Sequence, residues 1–142
     1  MEGQKLLAVH DMPSWTKMVS RSRRSFYDTA KLAEIVKELI SDYQLVCAAV
    51  ERVGASPQMG VSSAFKFGKG DGIIEGVLVA CGLKIIHVEP SVWKRKAGLS
   101  TDKKASIIKA NELFDGAFPM KDGTAEAALI AYHVLHEVDC WS

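Results

Sequence analysis

Three carboxylates carry the strongest chemical signal in this chain. Glu51 closes its most apolar run, Leu45, Val46, Cys47, Ala48, Ala49 and Val50. A lone carboxylate is costly to keep dry, so its place at the end of such a run asks for a reason. Asp122 and Glu126 stand at i and i+4 and share one face of any helix formed there. Carboxylate oxygens brought together from separate elements are the ligands that hard divalent cations prefer. Two metals bridged by such acids activate water and stabilise the leaving oxygen of a phosphodiester. Taken singly, each acid has a plainer role that ranks first. Asp122 serves as a helix N-cap, Glu126 complements the positive end of a helix, and Glu51 emerges into water.

A second signal is cationic and aromatic. Lys17, Arg21, Arg23 and Arg24 place four cations in eight residues. The common reading is a solvated loop, the sharper one a phosphate-contacting loop. Phe65, Lys66, Phe67 and Lys69 interleave aromatic rings with cations, a composition suited to base stacking and phosphate contact. Phe65 and Phe67 serve equally well as core. Trp93 beside Lys94, Arg95 and Lys96 has the same two readings. "FGKGDG", residues 67–72, is rich in glycine but is not a P-loop, and a turn or close helix packing is its plainer role. Ser62 and Ser63 have no His or acid in a known nucleophile spacing, which leaves acyl transfer unsupported.

The elements that must position these groups follow from pattern. Within 142 residues, 48% of them hydrophobic and 25% charged, one globular domain is the expectation. The net charge of +1 asks for no nucleic acid by itself, so local patches must carry that reading. Three cysteines, Cys47, Cys81 and Cys140, form no CxxC and point to a reduced, intracellular protein. Neither a signal peptide nor an apolar run long enough to span a membrane is visible.

Leu6–His10 reads as a short strand, and residues 14–26 as a basic, unpatterned, mobile loop. Asp28 or Thr29 caps a helix reaching about Ser41, with Leu32, Ile35, Val36, Leu39 and Ile40 on one face. Leu45–Val50 is a strand without polar alternation, as expected of a sheet covered on both faces. A helix from Ser62 or Ser63 ends at Gly82, its first half weakened by Gly68, Gly70, Gly72 and Gly76. Lys84–Val88 is another strand, and Ser91–Ala97 a short basic segment. Thr101 or Asp102 caps a helix from Lys103 to about Phe114, and Thr124–His136 is a final apolar helix. This alternation indicates an α/β layer structure with some parallel pairing.

"AVERVGA", "GVSSAFKFGKGDGIIEGVL", "VEPSVWKRKAGLSTDKKAS" and "DGTAEAALIAYHVL", in this order, resemble the RuvC-like resolvases, in particular the short phage-type members of the ribonuclease H-like superfamily. The resemblance spans nearly the whole chain. It implies one nuclease domain over residues 1–142, a mixed sheet flanked by helices and a homodimer. It also implies magnesium- or manganese-dependent cleavage of branched DNA such as Holliday junctions, in the cytoplasm of a bacterial or phage-infected cell.

On this resemblance Glu51 matches the family's second catalytic acid, and Asp122 and Glu126 match the acidic pair on its last helix. That pair is ordinarily two aspartates three residues apart, whereas the spacing here is four. Lys103 falls at the family's helix-start lysine near the site. The segment Phe65–Lys69 falls where the family approaches the junction.

One departure is large. The family opens on a strand carrying an aspartate in a "GIDPG"-like turn, which is absent here. Asp11 follows a strand-like segment. Yet two further strands would then have to fit between Pro13 and Phe26, a stretch judged too short. The expectation is therefore a chain that begins after the first two strands and lacks the first acid, a loss under which catalysis falls steeply.

Three readings compete. The first is a metal-dependent endonuclease selective for branched DNA. In it Lys17, Arg21, Arg23, Arg24, Lys66, Lys69, Lys94 and Arg95 neutralise backbone phosphates, while Phe65 and Phe67 approach the bases. The second is a non-catalytic DNA-binding or assembly module on the same scaffold. The third is an unrelated small α/β ligand-binding protein.

Overall fold

The structure, a computed structural model, describes residues 5–100, 102 and 104–137. Two sequence expectations, the cap at Thr101 and the site lysine Lys103, lie outside the described residues, as does Cys140. The chain divides into two compact units. One holds the residues up to Asp11, Ala49–Arg52 and those from Ile86 on, and the other holds Met12–Ala48 and Val53–Ile85. Among the described residues the fold is mixed α/β with small sheets and five helices, in agreement with the expected class.

In the unit that begins at Met12, the stretch expected to be a loop is a β-hairpin. Strand β1 (Ser14–Val19) pairs antiparallel with β2 (Ser22–Tyr27), with Trp15 opposite Phe26 and Lys17 opposite Arg24. The loop between them is two residues long, and both have positive φ, Ser20 at 47° and Arg21 at 67°. That is the conformation of a type I′ turn, the connection whose twist matches paired strands. Such turns usually announce themselves with Asn-Gly, and "SR" hides this one. Both strands are also largely exposed on both faces, so neither shows the apolar alternation that marks a half-buried strand.

Two strands therefore do fit between Pro13 and Tyr27, and length is no reason to set Asp11 aside. Residues 5–13, however, form no strand. Leu6, Ala8 and Val9 instead line a half-open pocket together with Ala127, Ala128 and Ala131 of the last helix.

Helix α1 (Thr29–Tyr43) begins as expected, with the Asp28 carboxylate accepting from Lys31 N at 3.0 Å. Helix α2 (Val61–Ala80) runs unbroken through all four glycines and packs on α1. Only Gly70 among them is tightly constrained. A Cβ there would sit 2.7 Å from the Tyr27 ring, and the Tyr27 hydroxyl donates to Lys66 O at 3.1 Å. Gly70 is thus where the hairpin meets the helix. Gly82, at φ 85°, ends the run beyond α2 as expected.

Strands β3 (Cys47–Glu51) and β4 (Lys84–Val88) form a second two-stranded sheet. Lys84 N donates to Val46 O and Arg52 N to Val88 O, so the two strands run in the same direction. The expected sheet covered on both faces is not realised. All of β3 is half-buried, and Leu45 and Val46 before it are exposed. A sheet of two strands leaves both edges open and cannot bury its faces by itself.

The unit that holds the chain's later residues is better cored. Helix α3 (Pro90–Lys96) follows β4 directly, with proline in its first turn, where the missing N–H costs nothing. Helix α4 (Lys104–Phe114) is preceded by Asp102, whose carboxylate accepts from Lys104 N at 3.0 Å. Helix α5 (Asp122–Glu137) packs against α4. Ala110 and Ala125 are fully buried, and these small side chains let helix backbones approach closely. Trp93 has no exposed surface and is the largest fully buried side chain among the described residues. Among the described residues no helix is long and apolar enough to cross a membrane.

Candidate functional site

Glu51 is the last residue of β3, and the strand's end is fixed by the bond from Arg52 N to Val88 O at 2.8 Å. Beside it, the Arg52 guanidinium pairs with Glu89 at 2.9 Å. Because α3 starts as soon as β4 ends, Trp93 falls one turn into the helix with its ring buried. Its indole N–H donates to Glu51 Oε1 at 3.0 Å. A buried indole N–H needs a partner, and here that partner is the carboxylate at the end of β3.

The next residue of α3 reaches a different acid. Lys94 Nζ lies 3.7 Å from Glu126 Oε1. Two consecutive side chains of one short helix therefore hold carboxylates from β3 and from α5. Glu126 stands one turn into α5, and Asp122 opens that helix on the same face and is exposed. Asp122 does not cap α5. The Lys121 N–H donates to Thr124 Oγ1 at 2.9 Å, and Ala125 N donates to Lys121 O, so the cap lies one residue earlier. Lys121 also pairs with Asp11 at 2.9 Å, and this hydrogen bond and charge hold its ammonium above the ordinary pKa of 10.5.

Of the acids singled out in the sequence, Glu51 and Glu126 thus meet through α3, and Asp122 lies a helical turn from Glu126. Their oxygens have the right chemistry for magnesium or manganese. Their placement does not complete a site: among the described residues no group of three His, Cys, Asp or Glu is arranged to hold a metal ion. The arrangement can hold two carboxylates at fixed positions, present a third at a helix start, and offer Lys94 as a cation among them.

The cationic residues divide between the two units. Lys94 and Arg95 belong to α3, where Lys94 is engaged by Glu126 and Arg95 is exposed. Lys17, Arg21, Arg23 and Arg24 lie on the exposed hairpin, and Phe65, Lys66, Phe67 and Lys69 on exposed positions of α2. Lys66 bridges back to the hairpin, donating to Ser25 Oγ at 2.7 Å.

Sequence reasoning weighed Trp93 as stacking or core and missed its bond to Glu51. The signal was the placement of a polar-tipped aromatic five residues after the end of β4. It also missed the pairing of Trp15 with Phe26, which only the hidden turn would have revealed.

With this geometry in place, solved structures supply a comparison. The chain superposes on Thermus thermophilus RuvC with a TM-score of 0.58 at 13% identity, covering 88% of this chain and 87% of that one. A structure of T. thermophilus RuvC in complex with a Holliday junction substrate gives 0.59 at 14% identity, covering 82% and 79%. The fold is RuvC-like. No family model and no curated protein sequence matches the chain. The RuvC-like fold agrees with the sequence resemblance, and identities this low bear on the fold alone.

Proposed function

We propose that this protein binds branched DNA and acts as a structure-selective endonuclease upon it, with Glu51, Asp122 and Glu126 as its acidic centre. The single observation that carries this reading is the attachment of Glu51 and Glu126 to consecutive residues of α3, within a RuvC-like fold. One of the similar structures holds a Holliday junction, which makes such a junction the first substrate to try. The exposed cations of the hairpin, of α2 and of Arg95 are the groups that neutralise phosphates in this reading. Binding is then salt-dependent, and shape rather than base sequence selects the substrate. Homodimerisation is part of the proposal, read out by light scattering with and without junction DNA.

Metal dependence rests on the chemistry of the carboxylates and not on their geometry, since no three of them close on one point. That observation favours a second reading, a non-catalytic junction-binding module. One experiment separates the two. A synthetic four-way junction is incubated with the parent and with Glu51→Gln, in magnesium, in manganese and in chelator. Metal-dependent cleavage by the parent, lost in Glu51→Gln with binding retained, supports the nuclease. Binding without cleavage in any metal supports the module. Cleavage by Glu51→Gln at the parental rate removes Glu51 from the centre. No junction binding at low salt removes both readings.

A further inference from the structure

Outside the acidic centre, the hairpin brings aromatic surface and positive charge together. Strand alternation sorts its cross-strand pairs onto two faces. Ser14–Tyr27, Thr16–Ser25 and Met18–Arg23 share the face that meets α2, because Tyr27 packs on Gly70 and bonds Lys66 O, and Ser25 accepts from Lys66 Nζ. Trp15–Phe26, Lys17–Arg24 and Val19–Ser22 therefore share the opposite face. There the indole of Trp15 and the ring of Phe26 stack, with centroids 4.5 Å apart and planes at 20°. Trp15 keeps 48% of its surface exposed.

The rung beside this stack is Lys17 opposite Arg24. Like charges directly across a ladder destabilise it. Residues 12–27 contain no Asp or Glu, and the adjoining Asp28 is committed to capping α1. The hairpin thus supplies no anion of its own to offset these two cations. A stacked aromatic pair with one ring open, next to two cations, is the composition that holds a single strand: a base on the ring and phosphates on the cations.

We propose that this face of the hairpin is a platform for unpaired nucleotides, with Trp15 stacking on a base and Lys17 and Arg24 contacting the adjoining phosphates. The proposal rests on the nucleic-acid reading above and narrows it to unpaired DNA. A duplex keeps its bases stacked on one another and offers the cations its phosphates but Trp15 no ring face.

The test titrates the full chain with a fluorescent oligothymidylate of about 12 nucleotides, within the range one such surface covers, and with a duplex of the same length. Circular dichroism confirms the fold of every variant. Trp15→Ala weakens oligothymidylate binding roughly 5- to 100-fold and leaves the salt dependence unchanged, while Trp15→Phe stays near the parent. Lys17→Ala and Arg24→Ala each flatten the slope of log K against log salt by about 0.7. Lys31→Ala, a cation of α1 paired with Glu34 and outside the binding set, leaves the slope unchanged. Where Trp15→Ala disturbs the hairpin, Trp15→Leu keeps the apolar contact with Phe26, removes the π face and shows the same loss. Parental affinity in a folded Trp15→Ala or Trp15→Leu protein overturns the proposal, as do equal losses on oligothymidylate and duplex. The four-way junction is titrated in parallel. A parent that fails to bind it defeats the nucleic-acid reading itself. Junction and oligothymidylate binding that survive both Trp15 variants defeat the platform alone.

Discussion

Two tryptophans mark how differently the two units are built. Trp93 is sealed among α3, α4 and α5, and its single polar atom is bonded to Glu51. Trp15 lies on an open hairpin, covered on one side by Phe26 and bare on the other. The first unit hides its aromatic surface and fixes its acids. The second leaves apolar groups such as Met18, Val61 and Phe65 exposed beside its cations, and its only buried aliphatic side chains among the described residues are Val36 and Leu83. The contrast teaches that the acids depend on a packed interior for their position, whereas the cations depend on a surface with little holding it.

The largest expected effect lies in the packed unit. Trp93→Ala removes the fully buried ring and leaves the Glu51 carboxylate without its donor, for a loss of about 3–5 kcal/mol in chemical denaturation. Trp93→Phe keeps most of the volume and isolates the lost hydrogen bond, at about 1–3 kcal/mol. Equal stability of parent and Trp93→Phe would mean that the indole N–H holds nothing in place.

In the exposed unit, single substitutions of opposite sign test how little holds the surface. Gly70→Ala drives a Cβ into Tyr27 and costs about 1 kcal/mol net, overpacking outweighing the gain in helix propensity. Gly76→Ala, with nothing within 4 Å, gains up to about 1 kcal/mol. If both glycines respond alike, the hairpin is not docked at Gly70. The double change Ser20→Asn and Arg21→Gly relieves two positive-φ residues and raises the melting temperature by the equivalent of about 1 kcal/mol.

The smallest effect is electrostatic. The partner Asp11 holds the Lys121 pKa above 10.5 in the folded chain, so the pair's contribution is complete below the unfolded value and disappears as pH climbs through the folded one. The difference in unfolding midpoint between parent and Lys121→Met therefore stays level through neutral pH and closes on the basic side in strong alkali. A difference that changes between pH 6 and 8 would assign it to another group.

Most of the helices were legible before the structure, because their caps and apolar stripes are local signals. Asp28 opens α1, Asp102 precedes α4, and Lys84–Val88 is a strand with the bounds read from pattern. The hairpin was not legible. Its turn lacks glycine and asparagine, and its strands bury neither face, so the period that betrays a strand is missing. Leu6–His10 misled in the opposite way: an apolar run placed beside the alanines of α5 looks in sequence like one paired with a neighbouring strand. At the site, the residue types were readable and the partnerships were not. Nothing in "VEPSVWK" says that the tryptophan reaches one acid and the lysine another, because that depends on how soon α3 turns after β4.

That short helix has a mechanical consequence. Glu51 and Glu126 come from parts of the chain 75 residues apart, yet each is tied to the same seven-residue segment. Two independent tethers would let the carboxylates drift separately; a common one works as a yoke. Any push on α3, from a bound strand or from a substitution at Pro90, reaches both acids in one movement.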